Sequence, residues 1–331
     1  MSKLNTVFLH NDHEGITAAA QLLQQGGTVA VPTETVYGLA ANATDDAAVK
    51  KIFTAKGRPS NHPLIVHIHT LEQLTELCID IPPVAIELAK AFWPGPMTLI
   101  LKKSYALGNV VTGGLDTIGI RMPAHPVFRT ILAEGNLVVA APSANPHKQL
   151  SPTTATQVFN ELNGKIDAVV DGGACHVGLE STIVDVAHYP DSPIKVLRAG
   201  PITAQQMRDA INLPVESYRS HQQQVPGNIK QHYQPKGRLQ VQSTQTIINA
   251  LKQWPQDTAC LWYSDKVGQQ LKSAAVHGFV QIESDKASYA RHLYSSLYAL
   301  DNKGYANIWV EQPPQNENWD DVNDRLARAQ A

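Results

Sequence analysis

A short apolar run that ends at a proline constrains the fold more than any other feature of the sequence. The residues of Val29–Val31 are apolar in consecutive positions, which is typical of a strand buried on both faces. Pro32 has no backbone N–H to donate, so the strand ends there and a loop begins at Thr33. That loop carries hydroxyl, carboxylate and aromatic side chains as far as Gly38. Ligands bind at the carboxyl ends of strands in open α/β sheets, so we expect a binding site here.

The length and the composition predict a globular protein of two domains. The chain has 331 residues, about twice the size of a typical domain. Its hydrophobic content of 43% and charged content of 17% exclude a largely disordered protein. The segment 213–238 is rich in Gln, Pro and basic residues and lacks periodicity. We therefore predict a larger domain at 1–212, an interdomain linker at 213–238 and a smaller domain at 239–331.

Charge, cysteine content and apolar runs narrow the function classes. The formal net charge of -2 gives no global basic field, so any contact with nucleic acid requires a local basic patch. The three cysteines lie far apart without a CxxC pair, which argues against a zinc site and against a disulfide framework. No apolar run has the length of a signal peptide or a membrane span. We therefore expect a cytoplasmic protein without a membrane partner.

The order of the periodic segments predicts an α/β protein. One helix is expected after Asn11 and Asp12, either of which can cap it, and a second is expected to be capped by Asp45 or Asp46 and to end at Gly57. A mobile glycine-rich loop is expected at 108–114, and a helix start at 151–153. Strands and helices mix irregularly before the linker, which predicts a twisted mixed sheet with helices against it. After the linker they alternate regularly, which predicts a small parallel α/β domain.

Three cationic side chains in the first domain call for anions. Lys56 and Arg58 lie at the end of a predicted helix, where cations complement the helix dipole or bind phosphate. Arg121 lies on an otherwise apolar strand, so it requires an anionic partner. That partner is either an internal carboxylate, such as Glu34 or Glu180, or a ligand.

Hydroxyl-rich turns and a strand histidine have two interpretations each. The segments 142–145, 151–153 and 178–182 supply Ser, Thr and Asn, which serve either turn and cap chemistry or a phosphate cradle. His67 on a predicted strand is more often structural than functional. The sequence contains no Walker A, GxGxxG, GxSxG or HExxH motif. The residues alone therefore predict an anion-binding cleft and no particular reaction.

Six motifs in order give the chain a family resemblance. They are PTETVYGLAANA, KGRP followed by PLIVHI, FWPGPMTLIL, TIGIRMP, APSAN with SPT, and GLESTIVDV. Together, over about residues 26–201, they resemble the YrdC-like domain of threonylcarbamoyl-AMP synthases. The segments LYALDNKGYANIWVEQP and WDDVNDRLARA resemble the extra C-terminal domain of the long members, and VPGNIKQHYQP resembles their linker.

The resemblance implies a reaction and a set of site residues. L-threonine, bicarbonate and ATP, with Mg²⁺, would give threonylcarbamoyladenylate and pyrophosphate, for modification of tRNA beside the anticodon. Contact with tRNA or with a tRNA-modifying complex is implied as well. The family's catalytic cations match Lys56 and Arg58. The implied ATP contacts are Lys56, Arg58, His62, Thr117, Ser143, Asn145, Ser151, Arg198 and Tyr233. The implied threonine contacts are Thr35, His67, Arg121, Ala141 and Ser181.

Two departures from the family pattern and two rival functions accompany this interpretation. His62 stands where the family has Asn, and His147-Lys148 replaces a usual Ser-Gly. No general base and no metal-binding side chains are identified, and the linker is expected to act as a lid over the nucleotide through Tyr233. One rival is a carbamoyl-adenylating hydrogenase maturation factor, although the chain lacks the zinc-finger cysteines of those proteins. The other is a non-catalytic double-stranded RNA-binding protein, which the near-neutral charge disfavours.

Overall fold

The chain forms two compact units in the computed structural model, which describes residues 4–219, 223, 225–226, 231–272 and 277–330. Within these residues the first unit comprises 4–147, 152–176 and 180–226, and the second comprises 148–151, 177–179 and 231–330. Parts of the predicted linker, namely 220–222, 224 and 227–230, lie outside the described residues. No helix among the described residues is long and apolar enough to span a membrane.

The first unit is built on one large sheet. Its strands are β1 (Val7–Leu9), β2 (Val29–Val31), β3 (Gly38–Asn42), β4 (Ile65–His67), β5 (Met97–Lys102), β6 (Thr117–Arg121), β7 (Val139–Ala140), β8 (Ala168–Val170), β9 (Thr182–Asp185), β10 (Ile194–Arg198) and β11 (Val215–Glu216). Its helices are α1 (His13–Gln24), α2 (Asp46–Lys56), α3 (Glu72–Leu77), α4 (Pro83–Phe92), α5 (Asn109–Thr112), α6 (Pro126–Glu134), α7 (Ala155–Leu162) and α8 (Ala204–Ile211).

The sheet is mixed, as the irregular order of segments predicted. Its described strands follow the order β1-β8-β2-β3-β7-β4-β6-β5-β9-β10-β11. Strands β1, β8 and β2 are parallel, as are β4 with β6, β5 with β9 and β10 with β11. The pairs β2 with β3, β3 with β7, β4 with β7, β5 with β6, and β9 with β10 are antiparallel. The prediction of a twisted mixed sheet with helices is confirmed.

Strand β2 and the loop after it form as the sequence predicts, but the loop is followed by a further strand, β3, that the sequence analysis did not predict. Strand β2 is fully buried and ends before Pro32. In the loop, Thr33 Oγ1 accepts from the backbone N–H groups of Thr35 and Val36, at 3.1 and 3.2 Å. Strand β3 follows at Gly38–Asn42 and pairs antiparallel with β2. The sequence analysis missed β3 because GLAAN contains no β-branched or aromatic residue that favours a strand.

The two faces of the sheet bury different side chains. One face packs against α2, α4 and α7 in a large apolar core that includes Val66, Leu99 and Ile120. The other face is covered by α1 and α6 over strands β2, β3, β7 and β8. Over β4, β6, β5, β9 and β10 this second face carries a mixture of apolar and polar side chains. We call that part the site face.

Helix ends agree with the sequence where a side chain caps the first turn. Asp12 and Asp45 cap α1 and α2, and Gly57 ends α2 with a φ of 63°. Thr203 and Gln206 form a capping box at the start of α8. Gln73 accepts from Thr70 N–H, but the side chain of Thr70 does not cap α3.

Two local predictions were wrong. The glycine-rich loop at 108–114 contains the short helix α5, because Gly113 adopts the left-handed conformation that ends a helical turn. The helix expected at 151–153 begins at Ala155, because Thr154 is the residue whose hydroxyl accepts from Gln157 N–H.

The second unit is the small parallel α/β domain that the sequence predicted. Its strands are β12 (Arg238–Gln242), β13 (Thr258–Trp262), β14 (Phe279–Gln281) and β15 (Asn307–Glu311), in the order β12-β15-β13-β14. Its helices are α9 (Thr244–Ala250), α10 (Asp265–Leu271), α11 (Lys286–Asn302) and α12 (Asp320–Gln330), with 3₁₀ turns at Leu251–Gln253 and Glu317–Trp319. All strand pairs in the described part of this sheet are parallel.

Candidate active site

Strand alternation brings the polar residues of the site face together. His67 of β4 is paired in register with Arg121 of β6. Thr98 of β5 lies beside Ile183 of β9, and Ser181 is two residues before Ile183, so both hydroxyls project from the same face. The intervening residues of these strands, such as Val66 and Ile120, point into the apolar core on the opposite face.

Arg121 is held by the loop that follows β2. Its Nη2 donates to Glu34 Oε1 at 2.5 Å and to Thr35 Oγ1 at 3.0 Å, and its Nε donates to the Gly95 carbonyl at 3.3 Å. The second Glu34 oxygen accepts from Ala124 N–H at 3.0 Å. Arg121 and Glu34 are both buried. Of the internal partners considered from the sequence, Glu34 is therefore the one that pairs with Arg121.

The hydrogen bonds of Arg121 leave one nitrogen for a ligand. Among the described residues, the bonds of its guanidinium use Nε and Nη2, so Nη1 is not engaged by the protein. The two hydrogens of Nη2 are matched by the acceptors on Glu34 and Thr35. A carboxylate arriving at this face therefore meets Nη1, while Glu34 and Thr35 fix the plane of the guanidinium.

Ser181 is fixed by Arg198 and Thr98. Arg198 donates through Nε and Nη2 to the Ser181 carbonyl, and through Nη2 to Ser181 Oγ at 2.9 Å. Ser181 Oγ also shares a hydrogen bond of 2.8 Å with Thr98 Oγ1. Because Arg198 occupies one lone pair of the hydroxyl, the orientation of Ser181 is set by its neighbours.

Arg198 also anchors the linker to the site face. Its Nη1 donates to the Pro226 carbonyl at 3.0 Å. The neighbouring Val225 is buried in a small apolar cluster with Ile100, Ile183 and Leu197. The sequence analysis interpreted Arg198 as an ATP contact. In the structure Arg198 donates hydrogen bonds to Ser181 and to the linker, and its contact with ATP stays a prediction.

His67 is buried in an environment that keeps its imidazole neutral. It is 2% exposed, and its ring lies 5.5 Å from that of Phe128. Burial and the nearby Arg121 guanidinium hold the pKa of His67 well below its usual range. Its Nδ1 has no hydrogen-bond partner among the described residues. A neutral imidazole with one unsatisfied nitrogen can accept or donate one hydrogen bond to a ligand.

The floor of the site face is formed by Gly119. A Cβ on this residue would lie 3.2 Å from Thr98 Cγ2 and 3.3 Å from Ile100 Cδ1, closer than most such contacts. The side chains of Thr98 and Ile100 therefore pack closely over the backbone of Gly119, which is buried. Thr117, which begins the same strand, is partly buried, and Ala141 is buried just beyond β7.

Lys56 is a buried cation held by carbonyl groups. Its Nζ donates to the Ser143 carbonyl at 2.5 Å, to the Asn145 carbonyl, and to Asn145 Oδ1 at 3.4 Å. Burial, with a further contribution from Arg58, lowers the pKa of Lys56 well below its usual range. Lys56 thus joins the end of α2 to the turn at 143–145, the two segments for which phosphate binding was predicted.

Arg58 and His62 lie on the loop that follows α2. Arg58 Nη2 donates to the Pro63 carbonyl at 3.1 Å. The His62 ring lies 5.8 Å from that of His147, so the two histidines that depart from the family pattern are neighbours. Burial and the nearby Arg58 lower the pKa of His62, which favours its neutral form.

Two of the predicted ATP residues belong to the second unit. Ser151 is buried within the short segment 148–151 that groups with that unit. Tyr233 is 2% exposed, has a φ of 62°, and stacks on Tyr294 at 5.8 Å between ring centroids. The Arg325 guanidinium lies 5.3 Å from the Tyr233 ring. Tyr233 is therefore part of the packing of the second unit.

Sequence reasoning missed Thr98 and Gly119. Each is one small residue in an apolar strand, and neither is part of a polar cluster in the sequence. Only the register of β5, β6 and β9 brings them beside Ser181 and Arg121. Among the described residues, no group of three or more His, Cys, Asp or Glu side chains is placed to hold a metal ion.

Comparison with known proteins agrees with this arrangement. Residues 21–200 match a family model described as "Telomere recombination" (Sua5_yciO_yrdC), and residues 202–331 match "Threonylcarbamoyl-AMP synthase, C-terminal domain". The chain belongs to the threonylcarbamoyl-AMP synthase family. Members of this family are nucleotidyltransferase-type enzymes, so the catalytic character expected from the resemblance is confirmed.

Relatives of this family match the chain over most of its length. The threonylcarbamoyl-AMP synthase of Pyrococcus abyssi is 38% identical over 89% of this chain and 88% of its own. That of Bacillus subtilis is 39% identical over 95% of this chain and 92% of its own. The crystal structure of P. abyssi Sua5 complexed with L-threonine has a TM-score of 0.87 at 33% identity, covering 98% of this chain and 97% of that chain.

Proposed function

We propose that this protein condenses L-threonine, bicarbonate and ATP into L-threonylcarbamoyladenylate and releases pyrophosphate. The observation that carries the proposal is the site face, where Thr35, His67, Arg121 and Ser181 are buried together on neighbouring strands and loops. The similarity to a Sua5 structure complexed with L-threonine supports threonine as the substrate. The product would serve the modification of tRNA beside the anticodon.

Threonine would bind through its carboxylate to Arg121. Nη1 is the nitrogen that the protein leaves unengaged, and a charge-assisted hydrogen bond from it would orient the amino acid. Ser181, His67 and Thr35 surround that position with hydroxyl and imidazole groups suited to the amine and the side-chain hydroxyl. The contact would use Nη1 because Nη2 is held by Glu34 and Thr35.

ATP would bind where α2 ends. Lys56 and Arg58 supply positive charge, and Ser143 and Asn145 supply the turn that fixes Lys56. A magnesium ion would arrive with ATP, held by phosphate oxygens and water, and would neutralise charge on the triphosphate. The remaining implied contacts, Thr117, His62, Ser151 and Tyr233, stay predictions.

The chemistry needs alignment more than a covalent nucleophile. The threonine amine adds to carbon dioxide with loss of a proton, or to bicarbonate with loss of water, and so forms a carbamate. A carbamate oxygen then attacks the α-phosphorus of ATP, and pyrophosphate leaves. Placing two substrates in a water-poor cleft contributes most of the rate enhancement in such a step. Glu34 is committed to the Arg121 pair, so we do not assign it the role of general base.

Pyrophosphate release tests the proposal directly. We expect release that depends on threonine, bicarbonate and ATP together, and release that is indifferent to threonine would refute it. Arg58→Ala should abolish turnover, whereas Lys90→Ala, at an exposed position of α4, should not alter it. Wild-type turnover in the Arg58 variant would show that the phosphate site is wrongly assigned.

The rival functions receive less support. The curated relatives that span most of the chain are named for threonylcarbamoyl-AMP synthesis, which disfavours the hydrogenase-maturation alternative. Salt-dependent binding of double-stranded RNA without ATP turnover would favour the RNA-binding alternative. Direct tRNA contact and a cytoplasmic location also stay predictions.

A further inference from the structure

A second cavity lies in the first unit at the opposite end of β2 from the Thr35 loop. Its volume is about 680 Å³, within the size range of small-molecule sites. Thr28, which precedes β2, and Asp167, which precedes β8, form its base. One face of α2 and the side chain of Leu4 also line it. None of the site residues described above lines it.

Three lysines give this cavity a positive charge. Lys50 and Lys51 project from α2, and Lys165 projects from the turn before β8. Lys51 donates to the Gly26 carbonyl at 2.7 Å, and Lys165 to the Glu161 carbonyl at 3.4 Å, so both bonds are to neutral groups. In the described part of the chain, none of the three ammonium groups has a carboxylate partner within 4.0 Å.

The carboxylate in the lining does not neutralise these lysines. Asp167 Oδ2 accepts from Thr28 N–H at 2.7 Å and from Thr28 Oγ1 at 2.9 Å, so it is committed to anchoring the start of β2. Three cations and one committed carboxylate leave an excess positive charge around the cavity. A ligand that fits must therefore be an anion.

The rest of the lining selects the body of such an anion. Leu4, Ala47 and Ala55 contribute apolar surface beside the lysines. A small inorganic ion would leave this surface exposed to water, whereas an aromatic or otherwise apolar group would bury it. The combination fits an organic anion with an apolar body and a phosphate group.

Helix α2 connects this cavity to Lys56 and Arg58, the cations proposed to bind the phosphates of ATP. Ala47, Lys50, Lys51, Thr54 and Ala55 line the cavity from one helical face, and Lys56 is the next residue of the same helix. Lys56 is the side chain bound to Ser143 and Asn145. A rigid helix with a ligand against one face and Lys56 at its end can couple the two sites.

We propose that this cavity is an effector site for a small organic phosphate with an apolar body, and that α2 transmits its occupancy to Lys56 and Arg58. Binding at the cavity does not depend on the proposed reaction. The effect on ATP does rest on the proposed function, because it requires ATP to bind at those cations. The coupling must be reciprocal, so ATP also changes the affinity of the effector.

Fluorescence titration of the full chain with 1-naphthyl phosphate tests the site. We expect saturable binding of 1-naphthyl phosphate. Inorganic phosphate carries only the charge and 1-naphthol only the apolar body, so each should bind at least tenfold more weakly. Lys50→Gln/Lys165→Gln should weaken binding at least tenfold. The control Lys90→Gln/Lys266→Gln changes two exposed helix lysines outside the cavity and should leave binding unchanged. Equal binding by both double variants would overturn the site.

A second titration separates the effector site from the ATP site. With saturating 1-naphthyl phosphate, the Kd for ATP should change at least threefold while both ligands stay bound. Complete displacement of 1-naphthyl phosphate by ATP, together with loss of its binding in Arg58→Ala, would place it in the ATP site and overturn the proposal. An unchanged Kd for ATP would overturn the coupling. If the protein shows no threonine-dependent release of pyrophosphate, the titrations of the lysine variants with 1-naphthyl phosphate still test whether the cavity binds an organic phosphate.

Discussion

Both units bury charged side chains, but they satisfy them differently. In the second unit, Glu311 is fully buried and accepts four hydrogen bonds, from Thr244, Tyr263 N–H and both the hydroxyl and N–H of Ser264. Asp321 pairs there with Lys286 at 2.5 Å. In the first unit, Lys56 is bound to neutral carbonyls, and Arg121 keeps one nitrogen unengaged among the described residues.

The difference distinguishes buried charges that stabilise a fold from those that await a ligand. Four hydrogen-bond donors offset the desolvation cost of a buried carboxylate, so the carboxylate needs no ligand to be stable inside the protein. A buried cation bound only to carbonyls still carries a net charge that an anion can neutralise. The predictions below test this contrast, from the largest expected effect to the smallest.

Removing Arg121 should have the largest effect. Arg121→Ala leaves Glu34 as a buried unpaired carboxylate, which should cost about 3–5 kcal/mol in the free energy of unfolding. The variant should also raise the KM for threonine. Urea denaturation and pyrophosphate-release kinetics measure the two effects.

A double variant separates the two consequences of that change. Glu34→Gln/Arg121→Met removes both charges and should recover most of the lost stability, but not the affinity for threonine. If Arg121→Ala were as stable as the wild type, the buried pair would not be the structural element described here.

Removing the charge of Lys56 should mainly affect turnover. Lys56→Met keeps the length of the side chain but supplies no charge to the triphosphate, and we expect about a 100-fold loss of kcat/KM for ATP, or about 2.7 kcal/mol. Lys51→Met, five residues earlier on the same helix, is the matched control and should lose less than threefold when no effector is present. A smaller loss at Lys56 than at Lys51 would contradict the assignment.

Changing Glu311 should affect stability alone. In Glu311→Gln an amide NH₂ group replaces one of the two carboxylate oxygens. The hydrogen-bond donors that this oxygen accepts from in the wild type then face another donor. The loss should cost about 1–3 kcal/mol in the free energy of unfolding. Turnover measured well below the unfolding temperature should stay at the wild-type value. Glu87→Gln, on an exposed turn of α4, is the control for stability. A loss of turnover in the folded Glu311 variant would mean that the second unit contributes directly to catalysis.

His67 should give the smallest effect, visible as pH dependence. Its pKa is lowered in the folded state, so between that lowered value and its ordinary value of about 6.5 the unfolded state binds more protons. Stability should therefore fall as the pH drops below about 6.5, by up to about 1.4 kcal/mol per pH unit for this residue. Denaturation at several pH values should show a shallower loss in His67→Gln, and an identical slope would contradict a neutral buried imidazole.

Local chemistry made part of the structure predictable from the sequence. The caps at Asp12 and Asp45 form within one helical turn, and Pro32 ends β2 by lacking a donor, so neighbours in the sequence decide them. The demand of Arg121 for an anionic partner was equally clear. The choice of Glu34 was not, since it depends on a loop 87 residues away.

Long-range register accounts for what the sequence did not reveal. Thr98 is one hydroxyl in an apolar strand, and its role depends on β9 lying beside β5. Strand β3 consists mainly of small residues that have a weak preference for strands. It forms because it pairs with β2 and β7. The effector cavity, likewise, brings together Lys50 and Lys165 from elements far apart in the chain.

The burial of Lys56 has a consequence for chemical labelling. Amine-acylating reagents need an accessible, unprotonated nitrogen, and Lys50 is exposed on the same helix while Lys56 is 4% exposed. Helix α2 therefore contains an exposed lysine and a protected one within seven residues. The acylation rate of Lys56 relative to Lys50, followed by mass spectrometry, reports how often the end of α2 opens to solvent.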